Sequence, residues 1–237
     1  MLVAAAVCPH PPLLVPKVAG TIAPDLDACR AACTVAIAGL AQAEPDVLVV
    51  VGGGRVTREH LPTSVGTLGP YGLGFRLGVG DGEVTLPLSL GIGRWLIDTM
   101  TTAPSVPREF VEVASDEAAE AAAKVGAGIA ESARRVGLLT MADGSAFASQ
   151  TPVGDDGRGE RYDARIVDAL IAGDVDALLE IDPADDGPLW ASGRAALQVL
   201  AGALEQSGRR WTGDVRWRGS PYGVGYVVAE LRPQPTS

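Results

Sequence analysis

Apolar residues recur along this chain in two rhythms. Leu2–Cys8 (LVAAAVC), Asp46–Val51 (DVLVVV) and Val136–Met141 (VGLLTM) are short continuous apolar runs. Such runs mark strands buried on both faces of a parallel sheet. Between them the spacing changes to three and four. Leu26, Cys29, Cys33, Ile37 and Leu40 predict a helix over Pro24–Ala43, which Glu44-Pro45 ends. Leu90, Trp95, Leu96 and Met100 predict another within Leu86–Met100, and Glu109–Ala114 reads as a short strand. Ser115 looks like an N-cap, with Asp116 and Glu117 opening a helix that runs to about Arg135.

Further helices are expected at Asp163–Ala172, Asp174–Ile181 and Leu189–Gln206. The chain closes in strands at Trp211–Trp217 and Tyr222–Leu231, the second alternating through Tyr222, Val224, Tyr226 and Val228. Residues 55–72 read as loop, and Gly72–Glu83 as a strand with a Gly-Asp-Gly turn. Residues 149–161 form a polar, glycine-rich stretch, the best lid candidate. No repeat and no linker interrupts this order. It predicts one α/β domain over 1–237, with a mostly parallel central sheet flanked by helices.

Composition narrows the partners. The 237 residues are 47% hydrophobic and carry a formal charge of −10. That charge disfavours nucleic acid and anionic membrane surfaces, and leaves a small-molecule ligand as the expected partner. No apolar run reaches the roughly 18 residues of a membrane span. The N-terminus lacks the basic region of a secretory signal, so residues 1–8 read as a core strand and the chain as cytoplasmic. Residues 143–186 hold twelve Asp/Glu against three arginines, either a solvated helical face or a surface for a metal or a cationic partner. Cys8, Cys29 and Cys33 match no disulfide framework and no CxxC metal pair. Apolar strand edges such as Trp211–Leu231 would also suit a homo-oligomer.

Candidate chemistry gathers where strands end. The first strand breaks at Cys8-Pro9-His10-Pro11-Pro12, where three prolines stiffen the chain around one of its two histidines. The second strand runs into Gly52-Gly53-Gly54, and a later one into Ala142-Asp143-Gly144-Ser145. Open α/β sheets place ligands at the carboxyl ends of their strands. The triple glycine could cradle an anion, although it matches neither GxGxxG nor GxxxxGK[ST]. His60 is either an exposed loop histidine or a second ligand, and His10 either a packing residue or a ligand.

Taken in order, Cys8-Pro9-His10-Pro11-Pro12-Leu13-Leu14, the valine-rich strand ending near Gly52, Ala142-Asp143-Gly144-Ser145 and Ser220-Pro221-Tyr222-Gly223-Val224-Gly225-Tyr226 resemble the LigB-type class III extradiol dioxygenases. The related Memo-like proteins share that fold. The resemblance implies a LigB-like extradiol dioxygenase fold. In active members it also implies a non-haem Fe(II) held by two histidines and a carboxylate, with a further histidine for acid–base work. His10 falls on the first metal position, and His60 is the remaining histidine for a second. Asp143 and Ser145 fall on the catalytic turn, and Gly52, Gly53, Gly54 and Tyr222 are the expected substrate-binding positions. Gly53-Gly54 replaces the family's Pro-His step, and Ala146 replaces the histidine that closes its Ser-His turn. The expected cofactor is therefore Fe(II) or another divalent metal, or none. The expected function is ligand binding in the family's cleft without standard ring cleavage, with ring cleavage of a catechol as the alternative.

Overall fold

The structure, a computed structural model, describes residues 1–99, 106–131, 135–146 and 157–235. Strand β1 (Leu2–Cys8) is followed by α1 (Pro16–Ala19), α2 (Asp27–Gln42) and β2 (Val47–Gly54). An excursion carrying β3 (Arg58–His60), β4 (Gly66–Thr67) and β5 (Arg76–Leu77) leads to α3 (Leu88–Thr99) and β6 (Arg108–Ala114). Next come α4 (Ala119–Glu131), β7 (Val136–Met141), α5 (Arg158–Ala172), α6 (Val175–Leu179), α7 (Pro183–Leu189) and α8 (Arg194–Gln206). The antiparallel pair β8 (Trp211–Gly219) and β9 (Tyr226–Pro233) closes the chain.

Seven strands form one sheet in the order β3-β6-β2-β7-β1-β9-β8. The central four, β6, β2, β7 and β1, run parallel, and β3, β9 and β8 add antiparallel edges. Each face carries its own core. Val47, Val49 and Val51 pack with α4, α5, α6 and α8, whereas Leu48 and Val50 pack with α2 and α3. This division is the period-two consequence of a strand between two helical layers, and it explains why β2 reads as an unbroken apolar run. In β1 a register shift between Leu2 and Ala4 puts Leu2 and Ala5 in the same core.

Several expectations change. The helix expected from Pro24 begins at Asp27, after a 3-10 stretch over Gly20–Leu26. Ser115 does not cap α4; its hydroxyl donates to the Gly54 carbonyl at 3.1 Å, and the helix starts at Ala119. The loop expected at 55–72 contains β3, which pairs with β6, and β4. Of the strand expected at Gly72–Glu83, Arg76 and Leu77 pair, with β4. The last strand starts at Tyr226, because Tyr222 lies in the preceding turn. Positions 149–156 of the expected lid lie outside the described residues, and 158–161 belong to α5. Among the described residues no helix is long and apolar enough to cross a membrane.

Candidate functional site

Because β1, β2, β6 and β7 are parallel, their carboxyl ends share one edge of the sheet. The turns after β1 and β7 are direct neighbours there. Pro11 is extended, and Pro12–Leu14 form one 3-10 turn, so the prolines hold His10 against the end of β7. The His10 backbone N–H donates to Asp143 Oδ1 at 2.7 Å. The ring Nδ1 lies 3.5 Å from the same oxygen and is buried without a hydrogen-bond partner. His10 itself is only 7% exposed. Burial pushes the Asp143 carboxyl above its ordinary range, against the opposing pull of the His10 ring and backbone N–H.

Ser145 is fully buried. Its N–H donates to Asp163 Oδ1 at 2.7 Å and its hydroxyl to Asp163 Oδ2 at 3.0 Å. The serine hydroxyl therefore anchors α5 to the turn after β7. Gly144 and Gly225 flank the same carboxylate, and a Cβ on either would collide with it. Gly225 also exchanges backbone hydrogen bonds with this turn, donating to the Ser145 carbonyl at 2.7 Å and accepting from Gly144 at 2.8 Å. Burial raises the Asp163 carboxyl to about 6, although both Ser145 donors oppose the shift. No short motif announces Asp163, since its partners come from separate parts of the chain.

The triple glycine is a ladder segment rather than an open loop. Gly52, Gly53 and Gly54 pair with Glu112, Val113 and Ala114 of β6. A Cβ at Gly52 would overlap Ser89 of α3, and one at Gly54 would overlap the Glu112 carboxylate. Gly53 does line a cavity of about 360 Å3, together with Ser115, Ser192 and the first residues of α8. The buried Arg194 side chain braces that corner, donating to Asp186 at 2.6 Å and to the carbonyls of Ser115 and Glu117.

His60 lies elsewhere. It sits on β3, four strand positions from β1, on the order of 19 Å across a sheet with about 4.8 Å between strands. Its Nε2 donates to Glu112 Oε2 at 2.8 Å, and the Arg58 guanidinium meets the same oxygen at 3.1 Å. The backbone N–H of Arg55 supplies a third bond, to Oε1, at 2.7 Å. Burial alone would raise Glu112, but these donors outweigh it and hold the carboxyl below its ordinary value. Tyr222 is 37% exposed, and its hydroxyl donates to Asp25 at 3.0 Å. The structure thus brings together His10, Asp143 and Ser145, with Gly52–Gly54 on the same edge, on the strand next to β7. It leaves His60 and Tyr222 with other partners.

A larger cavity, about 460 Å3, opens beside the turn after β7. Ile166, Val167 and Leu197 give it apolar walls, while Asp143, Asp163 and Glu160 bring carboxyl groups and Arg218 one guanidinium. Tyr226 also lines it, 6% exposed; burial first, then the Asp143 charge, pushes its phenol above the ordinary range.

A mixed seven-stranded sheet between two helical layers, with its polar groups at the carboxyl edge, defines an α/β protein of the open-sheet kind. No protein-family model matches the chain, and no curated protein matches it. Among solved structures it is similar to the crystal structure of the uncharacterized protein JW3007 from Escherichia coli K12. The TM-score is 0.56, with 13% identity over 96% of this chain and 99% of that one. At that identity the likeness shows the fold alone.

Proposed function

We propose that this chain is a cytoplasmic, divergent member of the LigB-type extradiol dioxygenase family that binds a small molecule without standard ring cleavage. One observation carries the reading: the two histidines stand on opposite parts of the sheet, and His60 is committed to Glu112. A facial iron set needs two histidines and a carboxylate converging on one centre, leaving open positions for substrate and oxygen. His10 and Asp143 offer one imidazole and one carboxylate. Among the described residues no group of three or more His, Cys, Asp or Glu is arranged to hold a metal. The residues present do not fit the iron set. What the edge offers instead is an apolar cleft with fixed polar groups, the usual form of a small-molecule site.

A second reading, a working Fe(II) dioxygenase for a catechol-type ring, is favoured by the unpartnered Nδ1 of His10. The two separate cleanly. Protein purified anaerobically with ferrous iron is assayed for metal content and for oxygen uptake over a catechol panel. The binding reading expects substoichiometric iron, no uptake, and thermal shifts with ligands that are not consumed. Stoichiometric iron together with oxygen uptake, both lost in His10→Ala, overturns it.

A further inference from the structure

The connection between β8 and β9, residues 220–225, is tied to the rest of the fold at two places among the described residues. Gly225 exchanges backbone hydrogen bonds with Gly144 and Ser145, and the Tyr222 hydroxyl donates to Asp25 at 3.0 Å. Ser145 is in turn held by Asp163, through its N–H at 2.7 Å and its hydroxyl at 3.0 Å. One carboxylate on α5 therefore fixes the turn after β7 and, through it, one end of the connection. Gly144 and Gly225 press against that carboxylate so closely that neither has room for a Cβ. The parts it joins are opposite walls of the 460 Å3 cavity. Ile166 and Val167 of α5 face Gly219, Ser220 and Gly225 across it.

The charged and titratable groups around Asp163 are Glu160 and Tyr162 on α5, Asp143 after β7, Arg218 on β8, Tyr226 on β9, Asp186 on α7 and Arg194 on α8. None of them shares a hydrogen bond with its carboxyl, and among the described residues no lysine or arginine pairs with it. Ionised, this half-buried carboxylate sets only the two Ser145 donors against its lost hydration. Protonated, it has no charge to solvate. The Ser145 N–H then still donates, and the serine hydroxyl can turn to accept the carboxyl proton. Burial accordingly raises the carboxyl to about 6. An Asp163 released into water would return to its ordinary range, so by linkage the proton favours the closed arrangement.

We propose that Asp163 is a proton-sensitive latch on the cavity: protonated, it holds the turn after β7 and the β8–β9 connection against α5, and ionised, it lets them part. This regulation deepens the small-molecule reading above and rests on it for what enters the cavity. The sign is fixed. The closed form is fully favoured below the ordinary carboxyl range and loses that advantage as pH rises through about 6, by up to about a hundredfold in the closed-to-open ratio.

The test is amide hydrogen exchange of the full chain without ligand, between pH 4.5 and 7.5, corrected for the intrinsic rates. The Ser145 and Gly225 amides are expected to be less protected than Val49 and Val50 in β2, and to lose at least about tenfold in protection across that range. Asp163→Asn should remove the step. Ser145→Ala keeps the carboxyl but removes a donor that favours its ionised form, so the step should move to higher pH, which a purely structural bond would not cause. A step that persists in Asp163→Asn, a midpoint that stays put in Ser145→Ala, or Ser145 and Gly225 amides that exchange only together with β2 overturns the latch. Ligand thermal shifts without any pH step overturn the latch alone. A pH step without any ligand thermal shift overturns the small-molecule reading alone.

Discussion

The backbone N–H of His10 reaches the Asp143 carboxylate at 2.7 Å, tying the proline turn after β1 to the end of the neighbouring strand β7. Removing the acceptor leaves a nearly buried N–H without a partner. Asp143→Ala should therefore cost about 1–3 kcal/mol, whereas Asp143→Asn, which keeps an acceptor oxygen, should cost less. Urea denaturation of both variants checks the order. Equal losses would mean that the charge, not the hydrogen bond, matters.

Glu112 carries a second expectation, through pH. Its donors hold the folded carboxyl below the unfolded value, so the folded state binds fewer protons as both titrate. The stabilisation is complete above the ordinary range near about 4.3 and is lost as pH falls through the lower folded value. Stability measured against pH should show this acid-side loss in the natural protein and a smaller one in Glu112→Gln. Glu112→Ala, which strands His60 and the Arg55 N–H, should cost about 2–4 kcal/mol.

Asp163 has the opposite sign. Its folded carboxyl is raised to about 6, so between its ordinary value and 6 the folded state holds the proton that the unfolded chain has lost. Stability should fall as pH rises across that window, from about 4 to 6, and the fall should flatten in Asp163→Asn. Chemical denaturation through that range measures it. An unchanged slope in the variant would assign the titration to another group.

Gly54→Ala puts a methyl group into the Glu112 carboxylate, whose position is fixed by hydrogen bonds from Arg55, Arg58 and His60. A loss of about 1–3 kcal/mol is expected from the overpacking. Gly53→Ala, where the nearest atom is the Ser115 hydroxyl oxygen at 3.3 Å, should be much milder. Thermal melts of the pair compare them directly.

The contrast between those two glycines shows where sequence reading stops. Asp46–Val51 and Val136–Met141 declare themselves because burial on both faces demands continuous apolar residues. Arg58–His60 gives no such signal. These polar residues become a strand because β6 offers an open edge, and His60 is held there by Glu112, 52 residues later. The GGG run suggests a loop, yet the neighbours that require small residues, Ser89 and Glu112, are remote in sequence. His10 and Asp143 are visible because they follow two strong strands. Asp163 is hidden inside a helix whose other acids face water.

The place of β1 has a consequence for how the molecule is made. It precedes every other strand in the chain, yet Leu2 pairs with Val136 and Ala5 with Leu231, almost at the opposite end. Both edges of β1 stay open until those partners emerge, so the middle of the sheet is completed last and slowly. During that interval an apolar strand with free backbone groups is available to other chains. A chain cut short before β9 would keep that opening permanently, so small C-terminal truncations should yield aggregates rather than a smaller folded protein.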